Sequence, residues 1–271
     1  MRRLQQLIFK IHNYVRFGIT DLFSNVEMET ASRCNRACVY CPNSRFDRGD
    51  HFMSEALFKK IIRQLEELHF SGIFRPHFYN EPLLDKRLPK LIRYTRKHLP
   101  YCTIHVYTNG DFLTKKLFAT LRKAGVDKFL VTAHSGFFTQ EVHALLKSAD
   151  VPHHIEGFTI KPGQALFNRA GLVNVSKLIT SKTCNLAAKY LVINFKGDVA
   201  LCCNDYLTSN SFGNLARESV VNVWRKPEYR SVRQTTKKGL FTLEICRVCM
   251  GLKQPSMHTQ MPRQPLSRIQ I

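Results

Sequence analysis

Seven of the nine cysteines form two groups, and this clustering constrains the chain more than any other sequence feature. The cysteines stand at positions 34, 38, 41, 102, 184, 202, 203, 246 and 249. An odd number of cysteines in a chain of 271 residues does not suit the disulfide framework of a small secreted domain. In a reducing cytoplasm, grouped thiols are typical of metal ligands. The sequence therefore predicts a cytoplasmic protein with a metal centre.

The formal net charge of +21 allows two interpretations. A polyanionic partner such as nucleic acid or anionic lipid would explain it. The alternative is a solvated basic surface, which we favour because Lys and Arg are scattered in runs of no more than two or three. A hydrophobic fraction of 44% is enough for a sizeable core, and no apolar run is long enough for a transmembrane helix.

Residues 1–23 are predicted to form a basic amphipathic helix. Its apolar positions recur at helical spacing on one face. We expect this face to pack against the main domain as a cap, and contact with a membrane surface is the alternative. The positions are Leu4, Leu7, Ile8, Ile11 and Val15.

Residues 24–165 show an alternation of strand and helix patterns. Such alternation indicates an α/β fold with a parallel sheet, either open or closed into a barrel. In such sheets the active-site groups lie on the loops that follow the strands. The predicted strands are 25–30, 73–79, 103–107, 128–132 and 153–160, and the predicted helices are 54–68, 88–98, 115–124 and 138–148.

The pattern changes in residues 166–251, which are predicted to form a small α+β domain. Two apolar runs flank Lys196-Gly197-Asp198, which indicates a β-hairpin. A helix is expected over 220–235, divided by Pro227. The polar tail 252–271 contains three prolines and is expected to be irregular.

The first cysteine group, Cys34-x3-Cys38-x2-Cys41, follows the first predicted strand. Structural zinc sites are normally closed by four ligands, so three thiolates suit a centre that keeps one coordination position open. A [4Fe–4S] cluster held by three cysteines has one iron free to bind a substrate or cofactor. The spacing therefore predicts an iron–sulfur centre that is catalytic.

This loop, with Tyr40 before the third cysteine, resembles the radical S-adenosylmethionine superfamily. Residues 78–84 (FYNEPLL) are similar to the family's segment that grips the methionine amino group, and residues 107–110 (YTNG) are similar to its turn near the nucleoside. The resemblance implies a partial (β/α)6 TIM-like barrel, and cofactor contacts from one rim of it. The residues expected to bind S-adenosylmethionine are Tyr40, Tyr79, Asn80, Glu81, Thr108, Asn109, Gly110 and His134.

The second group resembles the SPASM/Twitch extension of these enzymes. Cys184-x12-Gly197-x4-Cys202 opens it and Cys246-x2-Cys249 closes it. The absence of further cysteines after Cys249 favours the short Twitch form with one auxiliary [4Fe–4S] cluster. The glycine spacing favours Cys202 over its neighbour Cys203 as the ligand. Cys102 is expected to be a buried small hydrophobic residue.

The resemblance implies reductive cleavage of S-adenosylmethionine to a 5′-deoxyadenosyl radical, which takes a hydrogen from the substrate. In size and layout the chain is similar to Twitch-type aminocyclitol dehydrogenases, so we expect dehydrogenation or epimerisation of a small polar substrate. Arg169 is similar to a linker arginine that contacts substrate. Flavodoxin or ferredoxin is the expected electron donor.

Two alternatives remain open at this point. One is a radical enzyme that modifies peptides, although its usual recognition domain before the barrel is not visible. The other, from a different class, is a zinc-bound nucleic-acid module suggested by the net charge, whose binding would fall steeply with salt.

Overall fold

The alternation of strands and helices is confirmed in a computed structural model, which describes residues 2–148 and 153–254. The strands are β1 Asn25–Met28, β2 Ile73–Arg75, β3 Thr103–Thr108, β4 Lys128–Ala133, β5 Ile155–Thr159, β6 Tyr190–Ile193 and β7 Val199–Ala200. The helices are α1 Arg2–Phe17, α2 Glu55–Glu67, α3 Leu88–His98, α4 Lys115–Ala124, α5 Gln140–Lys147, α6 Leu186–Lys189, α7 Val220–Arg225, α8 Pro227–Lys237 and α9 Glu244–Cys249.

The strands form one sheet in the order β5-β4-β3-β2-β1-β6-β7. The first six are parallel, as the prediction of an α/β partial barrel requires, and β7 returns antiparallel beside β6. Gly197 turns the chain between these two strands with φ of +90°, so the predicted hairpin is confirmed. The hairpin continues the barrel sheet, because β6 pairs with β1 (Val26 opposite Leu191). A single sheet therefore links the two predicted domains.

Hydroxyl caps and a left-handed glycine set the helix ends. Ser54 accepts a hydrogen bond from the backbone N–H of Leu57, and Thr114 accepts one from Leu117. Gly125 ends α4 in the left-handed conformation. Alternate residues of β3 and β4 are buried against the helices, and most polar pocket residues lie at or beyond the carboxyl ends of the strands. Cys102 lies in the apolar core, as expected.

The prediction for the N-terminal helix is wrong in one respect. The helix forms, but it does not pack through its apolar face. Asn13, which is buried, donates a hydrogen bond of 2.8 Å to the carbonyl of Leu68, just beyond the end of α2. Phe9 stacks on His69 with ring centroids 4.7 Å apart. The hydrogen bond at the C-terminus of α2 and the aromatic stack therefore orient α1, and the aliphatic face of α1 points outward.

The C-terminal segment packs on the same side as α1. The helix expected over 220–235 is divided at Pro227 into α7 and α8, as predicted. Trp224 is fully buried, and its indole N–H donates to the carbonyl of Asp21. The predicted tail lies outside the described residues from position 255 onward. Among the described residues, no helix has the length and apolarity needed to cross a bilayer.

Candidate active site and auxiliary metal centre

The loop after β1 brings Cys34, Cys38 and Cys41 to the wall of one pocket of about 330 Å³. A backbone hydrogen bond of 2.8 Å from Cys41 to Cys38 folds the loop back on itself. Burial raises the pKa of the Cys34 thiol to about 12 and also raises the pKa of Cys38 and Cys41. Thiolates in this loop therefore need a compensating positive charge, which metal ligation supplies.

A polar network ties the cysteine loop to the turn after β3. Arg36 forms a bidentate ion pair with Asp111, with N···O distances of 2.7 and 2.5 Å. Asn35 donates to Asp111 and accepts from the side chain of Asn109, at 2.7 and 2.8 Å. Because the loop and the turn come from neighbouring parts of the sheet's carboxyl edge, this network fixes one side of the pocket.

Glu81 extends this network, because it bonds to the same turn. Its carboxylate accepts hydrogen bonds from the Thr108 hydroxyl (2.6 Å) and from the backbone N–H groups of Asn109 (2.8 Å) and Leu83 (3.0 Å). Burial raises its pKa to about 7. The structure thus joins the two predicted cofactor segments, 78–84 and 107–110, through one carboxylate. Glu81 still lines the pocket, but much of its bonding capacity serves the protein.

The neighbouring Asn80 keeps a free donor. Its side-chain oxygen accepts from the backbone N–H of Phe78 at 3.1 Å. Its buried amide nitrogen Nδ2 has no partner within the described part of the chain. A buried donor without a partner is costly unless a ligand accepts from it.

Tyr40 and His134 close the outer rim of the pocket, and Tyr79 forms part of its floor. The Tyr40 hydroxyl hydrogen-bonds to His134 Nδ1, and both residues line the pocket. Tyr79 is held by a 2.8 Å hydrogen bond from its hydroxyl to the carbonyl of Cys203. Gly110 forms the tight turn with φ of +81° but is not among the pocket residues.

Arg169 reaches the pocket from the linker between β5 and β6. Three successive residues, Arg169, Ala170 and Gly171, have φ of 49°, 56° and 86°. This left-handed run is strained for the first two residues, and its persistence indicates that the surrounding contacts demand it. The guanidinium donates to the side-chain oxygen of Asn204 at 2.9 Å and lies 5.7 Å from the ring centre of Tyr79.

The four predicted auxiliary cysteines meet in a second, smaller cavity. Cys184, Cys202, Cys246 and Cys249 all line it. Asn204 donates from its backbone to the sulfur of Cys202 (3.5 Å) and from its side chain to the sulfur of Cys249 (3.4 Å). Hydrogen bonds of this kind tune iron–sulfur clusters.

Cys203 lines the active pocket instead of the second cavity. Both cysteines lie in the turn after β7, and their side chains enter different cavities. Cys202 is therefore the member of the pair that faces the other three thiols.

The donor sets fit clusters better than single ions. Within residues 2–148 and 153–254, no three His, Cys, Asp or Glu side chains converge closely enough to hold one metal ion. In a [4Fe–4S] cluster each thiolate takes its own iron, so the sulfurs stand around the group without meeting at one point. The two cavities, one lined by three thiols and one by four, suit an open and a closed cluster site.

Sequence reasoning missed Glu27 and His77, which line the pocket, and Arg75, which lies beside Glu27. Glu27 lies within β1 and lines the pocket, although active-site groups were expected on the loops that follow the strands. Arg75, at the end of β2, places its guanidinium 3.7 Å from the Glu27 carboxylate. His77 stacks on Tyr107 at 5.0 Å. A charged residue inside an otherwise apolar strand was the available signal for Glu27, since buried carboxylates are rare unless paired.

Burial raises the pKa of Glu27 to about 7, although Arg75 and Arg169 oppose the shift. Burial lowers the pKa of His77 to about 3, so the imidazole is neutral. Its Nδ1 has no partner among the described residues. The pocket thus contains a titratable carboxylate, a neutral imidazole and the cation of Arg169.

Two family models match the chain. The Radical SAM superfamily model covers residues 28–158, and the SPASM model, an iron–sulfur cluster-binding domain, covers residues 184–250. The two matches include the first and the second cysteine group, respectively.

Individual proteins show the same similarity over most of the chain. The S-adenosyl-L-methionine-dependent 2-deoxy-scyllo-inosamine dehydrogenase of Niallia circulans is 34% identical over 236 residues, which are 84% of this chain and 93% of that protein. A GTP 3′,8-cyclase of Limosilactobacillus fermentum is 29% identical over 53% of this chain and 39% of its own length. The structure of BtrN in complex with AdoMet and 2-DOIA has a TM-score of 0.74 at 32% identity, over 80% of this chain and 88% of that one.

Proposed function

Because this chain belongs to the radical S-adenosylmethionine superfamily, we propose that it oxidises a secondary alcohol of a small cyclic, hydroxylated and aminated substrate. The similarity to a 2-deoxy-scyllo-inosamine dehydrogenase over 93% of that protein supports an aminocyclitol as substrate. The observation that carries the proposal is the joining of the three-thiol loop, Glu27 and Arg169 in one pocket.

The cofactors follow from the family and from the thiols. Cys34, Cys38 and Cys41 would hold the cluster that binds S-adenosylmethionine, and Cys184, Cys202, Cys246 and Cys249 would hold the auxiliary cluster. When bound, these groups supply a carbon radical that takes a hydrogen atom and a site that receives an electron. We propose that Asn80, Glu81, Thr108 and Asn109 bind the amino acid and nucleoside parts, aided by Tyr40, Tyr79 and His134, with Gly110 shaping the turn.

The substrate end of the pocket is lined by Glu27, His77 and Arg169. A carboxylate accepts from an ammonium or hydroxyl group, and an arginine donates to hydroxyl oxygens, so this set suits a compact molecule with several polar groups. Glu27, Asn80 and Glu81 are buried in this pocket, and exclusion of water around such groups protects a reactive radical. These features favour a small polar substrate over a peptide.

Conversion of a secondary alcohol to a ketone removes one hydrogen atom, one proton and one electron. Glu27, with a pKa of about 7, is suited to take the proton. Arg169 would hold the alcohol oxygen as it loses that proton, because a fixed cation stabilises developing negative charge. The auxiliary cluster, when bound, would supply the acceptor for the remaining electron, and Asn204, which lines its cavity, hydrogen-bonds to Arg169.

The test is anaerobic turnover of the iron-loaded chain with S-adenosylmethionine and a reductant. With 2-deoxy-scyllo-inosamine or related aminocyclitols we expect stimulated release of 5′-deoxyadenosine and a matching amount of ketone. Deuterium placed on the oxidised carbon should appear in 5′-deoxyadenosine. Cys102→Ala changes a buried thiol outside both cavities and is the control for nonspecific loss of cysteine. Stimulation by peptides alone, with none by aminocyclitols, would overturn the substrate class.

We further propose that flavodoxin or ferredoxin delivers the electron and that the protein acts in the cytoplasm. Reduced low-potential carriers and free cluster thiols both require a reducing compartment. Replacement of the chemical reductant by a flavodoxin system should support turnover. Failure with both carriers would contradict this part of the proposal.

A further inference from the structure

Helix α1 presents an apolar face outward. Within the helix, six large apolar residues are between 53% and 76% exposed. At about 100° per residue, they fall within one half of the helix circumference. The helix attaches to the domain through its other side, where Phe9 and Asn13 make their contacts. The six residues are Leu4, Leu7, Ile8, Ile11, Tyr14 and Val15.

A contiguous apolar face of this kind marks a surface that something covers, since single exposed apolar residues are common but aligned groups are not. The packed side of α1 is fixed by the buried side-chain bond of Asn13 to Leu68 and by the stack on His69. Rotation of the helix to bury its aliphatic side would break both contacts. The outward direction is therefore built into the fold.

Charge identifies the occupant. Lys10 is exposed at the edge of the apolar face and Arg16 is exposed in the last turn of the helix, and Arg225 lies next to Gly18 just beyond its end. The first acidic residue of the chain is Asp21, and it pairs with Arg233 at 3.2 Å. A second copy of the chain would bring the same positive charges together at this face. A negatively charged surface would instead be attracted, as the net charge of +21 also favours.

We propose that α1 is an interfacial helix that docks the enzyme on anionic phospholipid. An apolar stripe flanked by cations is the pattern of helices that lie in the plane of a membrane surface. The helix has 16 residues, and among the described helices none could span a bilayer, so binding is peripheral and reversible. The active pocket is built from the sheet's carboxyl edge and does not include α1. The proposal is thus independent of the substrate.

The test is cosedimentation of the iron-loaded protein with vesicles of phosphatidylcholine, with and without phosphatidylglycerol. We expect binding to the anionic vesicles, weakening with added salt, and at least about tenfold weaker binding to neutral ones. The double substitution Ile8→Asp with Ile11→Asp should reduce binding at least about tenfold. Leu240→Asp introduces the same charge at a residue that is 58% exposed elsewhere, and should bind like the parent.

A second variant distinguishes loss of membrane binding from loss of folding. Lys10→Glu with Arg16→Glu keeps the apolar face and should lose preference for anionic vesicles, with iron content unchanged. Absence of vesicle binding by the parent protein would overturn the proposal. So would a dimer, measured by light scattering, that Ile8→Asp with Ile11→Asp dissociates while vesicle binding is unaffected. In that case the face serves a second copy.

Discussion

Replacement of Glu27 by Gln tests the assignment of the substrate end of the pocket. The Glu27 carboxyl is buried, and burial raises its pKa to about 7 from an ordinary value of 4.5. If the ionised form must accept from the substrate, kcat/KM rises with pH through 7, because kcat/KM reports groups of the free enzyme. At pH 6 only about a tenth of the carboxyl is ionised, so kcat/KM should be about tenfold below its plateau.

In Glu27→Gln the rise of kcat/KM with pH through 7 should disappear. The amide cannot take a proton and is a weaker acceptor, so kcat/KM at pH 8 should fall about 10- to 150-fold, equivalent to about 1.5–3 kcal/mol. The assay is the initial rate of ketone formation from pH 6 to 8, with iron content measured at each pH. Glu67→Gln is the control, because Glu67 is exposed at the end of α2. If the rise of kcat/KM with pH persists in Glu27→Gln, the titrating group is Glu81, whose pKa is also about 7. That result would refute the assignment of the substrate contact to Glu27.

The same shift has a consequence for stability. The pKa of Glu27 is higher in the folded protein than in the unfolded chain. The contribution of this carboxyl to the free energy of unfolding is therefore fully present below about pH 4.5 and is lost as pH rises through 7. A shift from 4.5 to about 7 corresponds to a loss of about 3 kcal/mol at most, with the two nearby arginines already included. Glu27→Gln should therefore melt higher than the parent at pH 8 and nearly equally at pH 5. Equal melting at both would contradict a buried, titrating carboxyl.

Four further substitutions address the two centres, the turn between them and the turn that follows β3. Cys38→Ala should abolish S-adenosylmethionine cleavage, whereas Cys246→Ala should retain uncoupled 5′-deoxyadenosine release and lose ketone formation; intact turnover by Cys246→Ala would contradict a redox role of the second centre. Asn204→Leu removes the donor to Cys249 and the acceptor for Arg169. The reduction potential of the auxiliary cluster should therefore shift, and the yield of ketone per 5′-deoxyadenosine should fall. An unchanged potential and yield would contradict the role of Asn204 in linking the two sites. Gly110→Ala places a methyl 2.7 Å from Val131 at φ of +81°, whereas the control Gly136→Ala at φ of +90° meets nothing within 4 Å. We expect Gly110→Ala to lower the free energy of unfolding by about 1–3 kcal/mol more than Gly136→Ala does. Equal losses would contradict the steric argument.

The parts of the structure fixed by local pattern were predictable. The cysteine spacing, the capped helices and the position of Pro227 each depend on a few adjacent residues, and the structure has them near the expected positions. The cofactor-loop residues could be placed on one rim because parallel strands end at the same edge. Their mutual bonding could not be predicted, since the link from Glu81 to Thr108 joins residues 27 positions apart.

Two features depended on non-local competition and were missed for that reason. Periodicity identified the apolar face of α1 but not its direction, which is decided by the buried contact of Asn13 at the end of α2. The hairpin was visible in sequence, yet the pairing of β6 with β1 joins residues 165 apart. That pairing has a functional consequence. It positions the β6–β7 hairpin so that the turn after β7, which holds Cys202, Cys203 and Asn204, lies next to the pocket.

The position of that turn explains how one chain can connect two metal centres. Cys203 faces the active pocket and its carbonyl holds the Tyr79 hydroxyl, while Cys202 faces the second cavity. Asn204 then bridges back, because it binds both the Cys249 sulfur and Arg169. Three consecutive residues thus contact both sites. A change of charge at the auxiliary centre would act on Arg169 through Asn204, and the substrate oxygen is proposed to lie at Arg169. We therefore expect electron transfer and substrate binding to be coupled through the Arg169–Asn204 hydrogen bond.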